Sequence, residues 1–273
     1  MNGRRDIWKR PIPITVTLTV SVGLLVFLAV GLVLLVQWPT SRQILSDLAS
    51  RVVLRSLATM ELSIHDHLGP ARHVVDRLGR LIESGAYDLS DADRISDLLV
   101  GSAAAVPQIG ALMVADDKLR AIRLVRDPAT GHYQLDRADL SGNSRFVEEE
   151  REVRLAQGSY WGSPFYDPGL EVTFINVRRP LRRDGEYIGS IVAAVTTNEL
   201  SKLASEMGEM FGGLIFILYG GDRVLAHPEL ISGHPSRSVK DPVVPLDRVG
   251  DPVLARIDQA VPVQFLEFAV NRH

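Results

Sequence analysis

The spacing of apolar and polar positions changes three times along this chain. No charged residue lies between Arg10 and Arg42, and inside that gap Ile14 to Val36 reads ITVTLTVSVGLLVFLAVGLVLLV. As helix this run rises about 1.5 Å per residue to roughly 34 Å, enough to cross a hydrocarbon core of about 30 Å. From Ser41 to Leu81 the pattern becomes helical and amphipathic: Leu45, Leu48, Val52, Leu57, Met60, Ile64, Leu68, Val74, Leu78 and Leu81 recur at turn spacing. Ser41 is placed to cap this helix, Pro70 after Gly69 to kink or break it, and Ser84-Gly85 to end it. Ser90 or Asp91 then caps a second helix, Ala92 to Val106, which Pro107 closes.

Beyond Pro107 short apolar runs alternate with turns. Ile109–Ala115 and Leu119–Val125 read as a hairpin about Asp116-Asp117. Asp127–Asn143, rich in Asp, Gly and Pro, reads as loop, and Phe146–Ala156 as a short charged helix. An aromatic loop, Gly158 to Gly169, precedes a strand from Glu171 to Arg178. Further strands at Pro180–Arg182 and Tyr187–Thr196 flank a turn at Asp184-Gly185. Asn198 is placed to cap a helix through Met210. Gly213–Tyr219 and Arg223–Ala226 form a second hairpin about Gly220-Gly221-Asp222. A short helix near Pro252–Gln259 and a strand at Val263–Val270 follow. The second hairpin repeats the order helix, apolar strand, acidic turn, strand. A sheet stopping after three strands leaves an open edge, so the sequence reads as part of a longer protein.

Flanking residues refine the first segment. Trp8 and Trp38 bracket it as interfacial anchors would, and Arg4, Arg5, Lys9 and Arg10 precede it while only Arg42 and Arg51 follow closely. The expectation is a cytoplasmic tail (1–12), a transmembrane helix (13–37) and an extracytoplasmic remainder at the bacterial inner membrane. A cleaved signal peptide would carry a core of about 7–15 residues and small residues at its cleavage site; here Val-Gln-Trp-Pro-Thr follows a longer core. Gly23 and Gly31, eight apart, form no GxxxG motif.

Charge and chemistry exclude more than they identify. With 30 Lys plus Arg against 33 Asp plus Glu, the net charge of -3 argues against nucleic acid as a partner. The absence of Cys removes disulfides and thiolate chemistry. His65 and His67 are two apart on a helix and cannot chelate together; Glu61 and His65 read as a surface pair, and His227, Glu229 and His234 as loop residues. Glu148-Glu149-Glu150 reads as a solvated helix face. No serine has a nucleophile-elbow context and no glycine loop a phosphate signature, so no catalytic residue, metal or cofactor is assigned. The aromatic cluster Tyr160, Trp161, Phe165 and Tyr166 is the better functional signal. Such a cluster either walls a small-molecule pocket or packs a core.

The segments Trp161-Gly-Ser-Pro-Phe-Tyr-Asp, Val172-Thr-Phe-Ile-Asn-Val-Arg-Arg-Pro-Leu, Gly185-Glu-Tyr-Ile-Gly189 and Glu199-Leu200 resemble the double Cache domain, a PAS-like extracytoplasmic sensor of bacterial receptors. Leu225-Ala-His-Pro228 looks like the start of its second module, and the likeness spans roughly residues 40–270. The resemblance implies an α+β fold: a transmembrane helix, a long helical stalk with a membrane-distal module (38–212), and an incomplete membrane-proximal module (213–273), both modules with antiparallel sheets. It also implies a small ligand, a homodimer and a cytoplasmic output domain. Asn176 to Gly185 and Val249 to Ala255 look most like sensors attached to class III adenylate cyclases. A histidine kinase or chemoreceptor sensor, or an anchored interaction domain without ligand, is the alternative. Arg123, Tyr160, Trp161, Tyr166, Asn176 and Thr196 are the candidate ligand contacts. Family members that bind amino acids carry Arg-x-Trp-Tyr before the Trp-x-x-Pro loop and an Asp five residues after the glycine matching Gly189. Phe146–Ala156 lacks the motif and Ala194 stands at the Asp position, which disfavours an amino-acid ligand.

Overall fold

The structure, a computed structural model, describes residues 14–128, 130–232, 236–252 and 254, with side chains outside 15–17 and 33–56. The expected tail (1–12), His234, the strand at Val263–Val270 and nearly all of the helix near Pro252–Gln259 lie outside the described residues. Two units divide at Ala58 and Thr59.

In the first unit the chain is helical from Ile14 as the start of α1 (Ile14–Glu83). Its described apolar side chains, among them Leu18, Leu24, Phe27 and Leu32, are exposed. Among the described residues no helix is long and apolar enough to cross a membrane. The helix passes through Ser41 without a break, so Ser41 is not a cap. Pro39 removes a single donor from a run whose neighbours on both sides favour helix.

The second unit is a mixed α+β fold. From Thr59, α1 buries Ile64, Leu68, Ala71, Val75, Leu78 and Ile82, a line at alternating spacings of four and three. Pro70 does not break it. The carbonyl deprived of its partner is that of Asp66, an exposed position open to water, while Leu68 and Ala71 hold the turn on the core. Gly85 (φ +79°) turns the chain out, and the Asp91 side chain caps α2 (Ala92–Ala104) by accepting from the Arg94 N–H.

The main sheet is antiparallel. Its strands are β1 (Ala111–Asp116), β2 (Arg120–Arg126), β3 (Tyr133–Asp139), β4 (Tyr160–Trp161), β5 (Phe165–Asp167), β6 (Val172–Arg183) and β7 (Glu186–Thr196). Their order is β3-β2-β1-β7-β6-β4, with β5 also on β6. One face presents Leu112, Val114, Ile122, Leu124, Val177, Ile191, Ala193 and Val195 to the core shared with α1 and α2. Alternation sends Ala111, Met113, Ala115, Arg123, Asn176, Arg178, Val192 and Ala194 to the other face, beside α3 (Ser144–Leu155).

Two expectations for the sheet are corrected. β3 lies inside the segment read as loop: its side chains are mostly exposed and polar, so no apolar period marks it, and it is held by backbone pairing to β2, by the Tyr133 hydroxyl donating to the Ile109 carbonyl at 2.8 Å, and by ion pairs from Asp136 and Arg137. Pro180 sits within β6 instead of separating two strands. β4 stops pairing at Arg178, so beyond it β6 has an open edge where a missing N–H costs nothing.

After β7 comes α4 (Thr197–Phe211), capped by Thr196 and not by Asn198: the Thr196 hydroxyl accepts from the Glu199 N–H at 3.1 Å. Gly212 (φ +69°) closes it. A second sheet, β10-β9-β8, is built from β8 (Ile217–Tyr219), β9 (Arg223–Ala226) and β10 (Val244–Pro245). Its own cluster contains Val224, Leu230, Val244, Val249 and Leu254.

Candidate functional site

Cross-strand register assembles the site row by row. Arg123 stands opposite Met113, Met113 opposite Val192, Val192 opposite Arg178, and Arg178 opposite Tyr160. The next row on the same face is Val125, Ala111, Ala194 and Asn176. In the first row Met113 and Val192 lie between Arg123 and Arg178; in the second, Val125, Ala111 and Ala194 run up to Asn176. Over this face lies α3, whose inward residues Phe146, Glu149, Glu150 and Val153 follow the i, i+3, i+4, i+7 spacing of one helix side. Phe165, Leu170 and Phe174 close the end. The cavity measures about 100 Å³, room for several waters or one small organic molecule.

The Glu148-Glu149-Glu150 run is therefore not simply a solvated face. Glu148 is exposed, Glu149 half-buried, and Glu150 buried with 6% of its surface accessible. Three consecutive helical positions point in three directions, and only Glu148 points to water.

The charged groups interlock. Arg178, 4% exposed, donates from Nε to Asn176 Oδ1 at 2.6 Å and lies 2.9 Å from Glu149 Oε1 through Nη2. Arg145 donates from Nε to the same Glu149 oxygen at 2.8 Å and stacks its guanidinium over Phe165 at 4.1 Å. Two cations thus share one carboxylate oxygen. Glu150 accepts from the Tyr187 hydroxyl and from Ser190 Oγ at 3.3 Å, with Arg154 at 3.6 Å. Burial pushes the Glu150 carboxyl above its usual range against the pull of these donors, and pushes the Tyr187 phenol upward as well. Asp167 accepts through Oδ1 from the N–H groups of Gly169 and Leu170.

Three buried donors bordering this space have no partner among the described residues: Asn176 Nδ2, Arg145 Nη2 and Arg123 Nε. The donation from Arg178 fixes which end of the Asn176 amide is oxygen, so its NH₂ is the free end. Gly162 permits this packing, since a Cβ there would lie 2.5 Å from Asn176 Oδ1.

Of the six residues singled out in the sequence, the structure brings Arg123 and Asn176 to the cavity. Arg123 is also paired with Asp136 of β3. Tyr160 lies on the same face, its ring beyond Arg178, whose charge opposes the rise that burial gives its phenol. Trp161, one residue on, faces the other way and packs against the helix-side core. Tyr166 pairs across from Thr173, its phenol near Arg237, while the neighbouring Phe165 faces the cavity. Thr196 is occupied as the cap of α4. Arg145, Glu149, Glu150 and Arg178 were not legible as site residues. The available signal was the two carboxylates lying at i+3 and i+4 from Phe146, with Val153 at i+7.

No family model and no curated protein matches the chain. Solved structures do resemble it. The sensory domain of the Campylobacter jejuni chemoreceptor Tlp3 (CcmL) has a TM-score of 0.52 at 11% identity, over 67% of this chain and 73% of that one. The ligand-binding domain of Tlp3 in complex with L-valine has a TM-score of 0.51 at 12% identity, over 67% and 73%. Its complex with 4-methylisoleucine has a TM-score of 0.51 at 12% identity, over 67% and 71%. At such identity the likeness establishes the fold alone: a mixed α+β, PAS-like fold with a curled antiparallel sheet.

Proposed function

We propose that this chain is the extracytoplasmic ligand-sensing region of a membrane-anchored bacterial signalling receptor. The observation that carries this reading is the cavity between the sheet and α3, lined by a fully buried Asn176 whose amide donor has no partner among the described residues. A domain serving only protein contacts would have no reason to leave such donors around an internal space, because each costs about 1–3 kcal/mol if unsatisfied. The neighbouring fold belongs to chemoreceptor sensory domains, which supports the same reading. In this proposal residues 38–212 form the ligand-binding module and residues from 213 begin a second one, in keeping with its separate sheet. Two copies pair through α1. Ligand alters how the Thr59–Glu83 part of α1 packs on the sheet, and a difference in affinity between two packings drives the output. The output domain of the resemblance is a class III adenylate cyclase, with a histidine kinase or chemoreceptor as the alternative.

The cavity is tested by filling it. Val192 is half-buried and lines it, so Val192→Phe places a ring in the ligand space. The expected result is a thermal midpoint equal to or above that of the parent, with loss of any saturable midpoint rise that amino acids, carboxylates or amines give the parent. A large loss of midpoint would mean that the space is packed core.

The membrane anchor rests on the uncharged run Ile14 to Val36. A fusion at His273 to an export-dependent reporter is expected to be active, and one to a cytosol-dependent reporter silent. The reverse pattern would remove the extracytoplasmic assignment.

A further inference from the structure

We infer that the cavity selects a short carboxylate with an apolar tail and no amino group. This rests on the sensor reading above and adds the ligand's chemistry. Every carboxylate bordering the space is already engaged. Glu149 Oε1 serves both Arg145 and Arg178, Glu150 accepts from Tyr187 and Ser190, and Asp167 accepts from two backbone N–H groups. A ligand ammonium entering here would meet the Arg145 and Arg178 guanidinium groups that already hold Glu149, and like charge disfavours it. The donors are in the opposite state: Asn176 Nδ2, Arg145 Nη2 and Arg123 Nε all lack partners among the described residues. Three spare buried donors call for an acceptor, and donors in or beside guanidinium groups favour an anionic one.

The rest of the lining sets the other end of the ligand. Between Arg123 and Arg178 lie Met113 and Val192, and beside Asn176 lie Ala194, Ala111 and Val125, with Phe174 closing the floor. These side chains offer apolar surface and no hydrogen bonds, so a bare inorganic anion would waste them. The small volume bounds the tail to a few carbons. The carboxylate head lies against Asn176 and Arg145, with Arg178 and Glu149 holding those donors in place, and the tail lies over Val192 and Ala194.

The test uses the full chain purified in detergent and calorimetric titration of three probes with similar tails: butanoate, butan-1-amine and L-valine. Butanoate is expected to bind saturably, and the other two at least tenfold more weakly. Asn176→Asp is nearly isosteric and keeps the oxygen that accepts from Arg178, so the fold is retained while the donor becomes a repelling oxygen. It is expected to weaken butanoate by about tenfold or more, as loss of a charge-assisted hydrogen bond would. Arg145→Gln, at a half-buried helix position, is expected to weaken butanoate similarly without changing its tail preference. If butan-1-amine or L-valine binds as well as butanoate, or if Asn176→Asp leaves butanoate unchanged, the carboxylate assignment is wrong while the sensor reading stands. If none of the three binds at millimolar concentration, the assignment fails and the sensor reading is weakened with it.

Discussion

Gly189→Ala is expected to abolish folding or to lower the thermal midpoint by roughly 10 °C, corresponding to about 4 kcal/mol. Gly189 lies opposite Asp116 where β7 pairs with β1, at φ +151°. A Cβ there would sit 2.1 Å from the Ala115 carbonyl oxygen and 3.0 Å from Asp116 Cα. Both obstacles are backbone atoms at the centre of the sheet, so no side-chain rotation relieves the clash. The strand cannot retreat without also moving Ser190 and Val192, which line the cavity. Circular dichroism melting of the variant checks this. A midpoint within about 2 °C of the parent would mean that β1 and β7 are paired in a different register, and the rows that build the cavity would have to be redrawn.

Arg178→Ala is the second large effect. Removing this guanidinium leaves Asn176 Oδ1 without its donor and Glu149 with Arg145 alone, inside a region almost closed to water. Truncating one partner of a buried, hydrogen-bonded charge network costs about 3–5 kcal/mol. The Arg120–Asp116 pair is the internal control: the Arg120 side chain is 70% exposed, so Arg120→Ala is expected to cost less than about 1 kcal/mol. Urea unfolding of both variants, read at unchanged slope, separates the two. Equal costs would show that Arg178 is solvated in solution, and the cavity would lose its polar end.

Much of the local structure follows from side-chain chemistry within a few residues. The apolar line on α1, the caps and turns at Asp91, Gly85 and Gly212, and both hairpins all have short-range causes. Errors arose where a local rule met a longer-range partner. Pro70 and Pro180 each lack an N–H, which by local rule kinks or breaks an element. An exposed carbonyl and an open strand edge made that lack harmless. β3 was read as loop because its polar sequence has no period of its own, and β2 supplies the pairing.

The site shows the same division more sharply. Composition and spacing singled out the aromatic cluster Tyr160, Trp161, Phe165 and Tyr166 as either a pocket wall or packed core. They could not establish which member of a neighbouring pair faces inward. Tyr160 and Trp161 differ by one position, and strand register alone sends the first toward Arg178 and the second toward the helices. Likewise a run of three glutamates has no inside or outside until a sheet is laid against the helix. The sequence by itself determined the helices, both hairpins and the uncharged N-terminal run, because helix, turn and strand preferences act between near neighbours. The tertiary structure alone decided the cavity, its buried carboxylates and its unpartnered donors, because burial and hydrogen-bond satisfaction depend on strands and helices distant in the chain.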